Sequence, residues 1–120
     1  MPMTIEEVQG YALLGMYQEA WDAALDLDPD DRMVADVWRV RAGCAPHLGA
    51  WDEGEVLAEL LRHGSDNDRM VAFTFFHKFA VHLLALGKMG EAKAAVKKAS
   101  EAAPARRLAL LDDPALAALW

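Results

Sequence analysis

The apolar residues of this 120-residue chain recur every three or four positions almost from end to end. That spacing is one face of an α-helix, and alanine and leucine, both good helix formers, supply much of it. No run alternates apolar and polar residues with period two, and the chain holds only two threonines, so nothing predicts a strand. The periodicity breaks near Gly15, Pro29, Gly49, Gly64–Asp68, Gly87, Pro104 and Pro114. These breaks predict helices over about 4–14, 17–27, 32–48, 51–63, 68–86 and 89–102, with a last turn at about 114–119.

The helices fall into pairs, and each pair has a glycine at its inner turn: Gly15, Gly49 and Gly87. The intervals between them are 34 and 38 residues. A two-helix hairpin cannot bury its own apolar face. A period near 34 with one short turn per unit therefore points to hairpins that stack to share a core.

The turns resemble those of tetratricopeptide repeats. The third unit, FHKFAVHLLALGKMGEAKAAVKKASEAAP, places Phe76, Phe79-Ala80, Leu83, Gly87, Glu91-Ala92, Val96, Ala99 and Pro104 in the family's order of residue types. The first unit has Tyr11, Gly15, Tyr17, Glu19-Ala20, Ala24 and Pro29; the second has Trp38, Gly49, Trp51 and Glu53-Gly54. Each type has a mechanical role. The turn glycine tolerates positive φ. Ala20, Gly54 and Ala92 are small where helices cross closely, and Tyr11, Trp38 and Phe76 fill the space between hairpins. The tail LALLDDPALAALW is similar to the ending of many bacterial tetratricopeptide proteins. Asp113 suits an N-cap and Pro114 the first helical position. Leu116, Leu119 and Trp120 are expected to be partly buried over the open end.

The resemblance implies an all-α fold: about three antiparallel hairpins (about 4–27, 32–63 and 68–102) stacked as a short right-handed solenoid, with a C-terminal cap at about 106–120, in one domain. The sequence departs from the pattern in places. Pro46 sits late in the third helix and is expected to kink it or end it early. The second unit has no closing proline, and residues 65–68, SDND, read as an insertion.

Composition narrows the partners. The net charge is −7, which argues against an electrostatic grip on nucleic acid or on an anionic membrane. The charge is polarised: residues 1–60 carry thirteen acids against Arg32, Arg39 and Arg41, whereas residues 61–120 carry nine bases against six acids. The N-terminus has no signal-peptide apolar core and no stretch is long enough to span a membrane, so a cytoplasmic protein is expected. Cys44, the only cysteine, reads as a buried structural thiol.

No catalytic, metal or cofactor motif emerges. His77 and His82 are five apart, not the four of a zinc helix. Asp26, Asp28 and Asp30 begin like a calcium loop, but Asp31 and Val37 stand where its glycine and bidentate glutamate belong. The expected function is protein–protein interaction as an adaptor or chaperone-like binder, with no cofactor. A self-associating homodimer module is the alternative, and an enzyme with an unmarked site is a third reading.

The resemblance places the binding groove on the first helix of each pair. Its candidates here are Gln9, Asp36, Arg39, Gly43, Thr74, His77, Lys78 and Val81. Members that clamp a C-terminal carboxylate use a fixed set of basic and Asn residues, and that set is not present here. Lys78 matches one member of that set, but Ile5, Gln9, Val40 and Thr74 occupy other positions. Independently, the polar residues Thr74, His77, Lys78 and His82 form one stripe on an otherwise apolar fifth helix. The stripe either lines a groove for an acidic partner segment or merely keeps the surface wet.

Overall fold

The structure is a computed structural model that describes residues 2–120, and among the described residues every regular element is helical. The α-helices are α1 (Ile5–Leu13), α2 (Tyr17–Leu25), α3 (Ala35–Leu48), α4 (Trp51–Leu61), α5 (Asp66–Ala85), α6 (Met89–Ala102) and α7 (Arg107–Leu111). Short 3-10 helices cover Asp31–Met33, Pro104–Arg106 and Pro114–Leu119.

Three turns share one geometry. Gly15, Gly49 and Gly87 have φ of 74°, 67° and 76°, the only positive values among the described residues. After each glycine the chain bonds back across the helix end. The N–H groups of Met16, Ala50 and Lys88 donate to the carbonyls of Tyr11, Ala45 and Leu83 at 2.9, 3.0 and 2.9 Å. This six-to-one bond satisfies a carbonyl that the helix end leaves orphaned, and it requires the left-handed residue that glycine supplies. The same three residues then open the next helix. The carbonyls of Met16, Ala50 and Lys88 accept from the N–H groups of Ala20, Gly54 and Ala92, each at 2.9 Å. Ala20, Gly54 and Ala92 are all buried. The repeat in the sequence is therefore also a repeat in hydrogen bonding.

Each turn folds the chain back on itself, so α1 packs on α2, α3 on α4 and α5 on α6. The first hairpin also packs on α3, α3 and α4 pack on α5, and the C-terminal turn packs on α5 and α6. Each hairpin thus packs mainly on the one that follows it in the chain, in a body of 51 × 27 × 21 Å. Two apolar clusters result. The smaller joins Val8, Ala23, Ala24, Leu27 and Val37. The larger centres on Phe73, Phe75, Phe76, Ala80 and Leu83 of α5 and reaches Leu110 and Leu116 of the tail. A Cβ on Gly54 would lie against the Phe75 ring and 2.7 Å from the Ala45 Cβ, so the absence of a side chain lets α4 approach α3 and α5.

Several expectations are corrected. Pro46 does not end α3, which runs on to Leu48 before the Gly49 turn. The fifth helix starts at Asp66, inside the break expected at Gly64–Asp68. The Ser65 hydroxyl accepts from the Asp68 N–H, and Asp68 accepts from the Ser65 N–H, a capping box that starts α5 at Asp66. The third helix starts later than expected. Residues 31–33 form a separate 3-10 turn, and Val34, at φ −92° and ψ 149°, is extended between it and α3. Helix α7 was not foreseen as a separate element. In the tail, Leu116 is fully buried and Leu119 partly so, but Trp120 remains 54% exposed.

Candidate functional site

Two adjoining clefts run along α3. One, of about 230 Å³, lies between α3 and α5 and is lined by Arg39, Ala42, Gly43, Pro46, Met70, Val71, Thr74, Phe75 and Lys78. The other, of about 500 Å³, lies between α1 and α3 and includes Gln9, Leu13, Tyr17, Val40, Cys44 and His47 as well as Arg39 and Gly43. The two share Arg39 and Gly43, so together they form one surface across α1, α3 and α5.

Of the eight residues singled out from the sequence, Gln9, Arg39, Gly43, Thr74 and Lys78 line this surface. The other three lie off it. Asp36 is exposed and paired to Arg39. Val81 is partly buried against the larger apolar cluster. His77 turns towards the tail, where its Nε2 is 2.6 Å from Asp113 Oδ2.

Gly43 sets the depth of the floor. It sits inside a helix, where glycine is less stable than alanine by about 0.5–1 kcal/mol. Its φ is ordinary and a Cβ there would meet nothing within 4 Å. Packing therefore gives no reason for a glycine at this position. What it leaves is an exposed stretch of backbone that another molecule can approach.

The charges on the surface are unequal. Arg39 Nη1 lies 2.5 Å from Asp68 Oδ1, and its other terminal nitrogen pairs with Asp36. The bond to Asp68 raises the Arg39 pKa most; burial opposes it and Asp36 adds to it. Burial pushes Asp68 up, but bonds from Arg39 and Ser65 outweigh it and hold the carboxyl below its usual value. Arg39 is thus already neutralised, and it ties α3 to the start of α5. Lys78 is exposed and forms no ion pair among the described residues.

His47 stacks flat on Tyr17, with ring centroids 3.8 Å apart. Partial burial, and then the nearby charge of Lys78, lower its pKa below the ordinary histidine value. At neutral pH the imidazole is therefore uncharged. Among the described residues the surface offers one free cation, Lys78, with an aromatic platform and apolar walls. No family model, no curated protein and no solved structure matches the chain.

The polar stripe of α5 divides into a middle and two edges. Thr74 and Lys78 are open. His77 is held at one edge by Asp113, and His82 stacks on Trp51 at the other, with centroids 4.4 Å apart. The Asp113 carboxyl is held low first by the Ala115 N–H and then by His77. A carboxylate can only accept, so His77 Nε2 carries the proton in this bond. Tyr17, Leu13 and His47 were missed in the sequence. The spacing could have shown two of them: His47 continues the series Asp36, Arg39, Gly43 by one further turn, and Leu13 continues Gln9.

Proposed function

We propose that the chain is a tetratricopeptide-like protein-binding module, a short right-handed solenoid that grips an extended segment of another protein along α1, α3 and α5. The segment carries an acidic side chain opposite Lys78 and an apolar or aromatic side chain over Tyr17 and His47. Binding, not catalysis, is the activity.

One observation carries this reading. Gln9, Arg39, Gly43, Thr74 and Lys78 are spread over 70 positions, yet they line two clefts that share Arg39 and Gly43. The repeated glycine turns support it, since a repeated hairpin presents the same face of its first helix in each unit. The unpaired Lys78 supports an acidic partner, because a lone exposed cation favours an opposite charge across an interface.

The test is selection of peptides from a random displayed library on the immobilised full-length chain, followed by titration of the synthetic peptides. Selected peptides should be enriched in Asp or Glu beside an aromatic or large apolar residue. Lys78→Glu should weaken binding about tenfold, or ~1.4 kcal/mol. Exchanging the peptide's acid for lysine should restore binding to that variant. If folded Lys78→Glu protein binds every selected peptide as tightly as wild type, the surface is not the site.

A further inference from the structure

The end of a stacked-helix body normally turns a polar face to water, because its apolar face has no next unit to cover it. At both ends of this molecule large apolar side chains stand exposed among the polar ones. At the C-terminal end, Leu110 is buried, and one side of α7 turns Leu108, 70% exposed, and Leu111, 49% exposed, outward. Arg107 lies on the same side by helical spacing, Arg106 precedes it, and Trp120 is exposed in the adjoining turn. Asp112 is the exposed acid of α7's C-terminus.

At the N-terminal end, Val8 of α1 and Ala20, Ala23 and Ala24 of α2 are buried. The residues that helical spacing places opposite them are Glu6, Gly10 and Leu13 on α1, and Gln18, Asp22 and Leu25 on α2. Leu13 is 88% exposed and Leu25 50%. Gly10, in the middle of this face and inside a helix, has nothing within 4 Å of where a Cβ would be. It leaves the α1 backbone open to close approach.

We propose that these two poles dock on each other between copies of this chain, so that the protein associates head to tail. Each pole has exposed large apolar residues beside charge, acidic at Glu6 and Asp22 and basic at Arg106 and Arg107. The halves of the sequence carry the same opposition, thirteen acids to three bases against six acids to nine bases. A symmetric dimer through the N-terminal pole would set Glu6 and Asp22 against their own copies, and one through the C-terminal pole would set two arginines against two with only Asp112 to offset them, which is unfavourable. Docking of unlike poles is heterologous, so copies add in series beyond a dimer, as a ring or as an open chain. The α1–α3–α5 clefts take no part beyond Leu13 at their rim, so peptide binding and self-association are separate properties.

Sedimentation equilibrium of the full-length chain tests this, up to about 1 mM, the weak end of the specific affinity range. The weight-average mass should rise with concentration and pass that of a dimer. Two exposed-site variants, Arg106→Glu with Arg107→Glu, and Glu6→Lys with Asp22→Lys, should each remain monomeric while keeping the wild-type circular dichroism spectrum. An equimolar mixture of the two should associate again, because each altered pole now meets its opposite. A wild type that stays monomeric throughout overturns the proposal. So does a mass that levels off at two chains, or a mixture that associates no better than its components.

Discussion

Gly54, Gly43 and Gly87 look alike in the sequence, and their surroundings separate them. Gly87 has open space but a φ of 76°, so Gly87→Val should lose about 1–3 kcal/mol to backbone strain. Gly54 has ordinary φ but no space. Gly54→Ala should destabilise by about 1–3 kcal/mol through overpacking against Phe75 and Ala45, despite a gain of about 1 kcal/mol in helix propensity. Gly43 has both ordinary φ and space, so Gly43→Ala should stabilise by about 0.5–1 kcal/mol and weaken peptide binding. Urea denaturation of the three variants reads all three signs. The titrating groups give a second set of outcomes. The Asp68 carboxyl is held below its ordinary value of about 3.9, so its contribution to stability is present above about pH 4 and is lost as pH falls through the folded-state value. The difference in Tm between wild type and Asp68→Asn should be largest near neutrality and shrink on acidification below that pH. His47 is lowered instead and is neutral at pH 7. Binding of an acidic peptide should tighten as pH falls through the His47 value, which lies below the ordinary ~6.5, and His47→Gln should remove that dependence.

At the scale of elements, the features legible in the sequence are those fixed by local chemistry. Only glycine takes positive φ without strain, so Gly15, Gly49 and Gly87 marked the three turns. Helix α6 begins and ends where its periodicity does. The misreadings have physical causes. SDND looked like a loop because its residues favour turns, yet Ser65 and Asp68 use the same hydrogen-bonding chemistry to cap α5. Pro46 lies in the last turn of α3, two residues before its end, where an interrupted ladder shortens the helix little. Helix α7 is five residues long, too short for periodicity to show. His77 reaches Asp113 across 36 positions and Arg39 reaches Asp68 across 29, pairings no local pattern encodes. The tail yields a contrast. Leu116 is fully buried, and Leu116→Ala should lose about 2–5 kcal/mol, whereas Trp120→Ala at an exposed site should stay within about 0.5 kcal/mol of wild type. Thermal or chemical melts decide this, and equal losses would mean that Trp120 is packed as the tail was expected to be.

At the scale of the whole molecule, the two apolar clusters differ in size. The first hairpin is held by Val8, Leu27, Val37 and two alanines, while the rest of the chain shares a core of four buried aromatic and leucine side chains from α5 alone. Hydrogen exchange should therefore find α1 and α2 opening at lower free energy than α5 and α6. Since α1 forms one wall of the larger cleft, a bound peptide should slow exchange there most. The central claim is that α1, α3 and α5 together form a single binding surface. Amide chemical-shift mapping with a selected acidic peptide tests it most directly. Perturbations concentrated at Gln9, Gly43, His47, Thr74 and Lys78, on all three helices at once, support it. Perturbations confined to α4, α6 or the tail, with those five amides unmoved at saturation, contradict it.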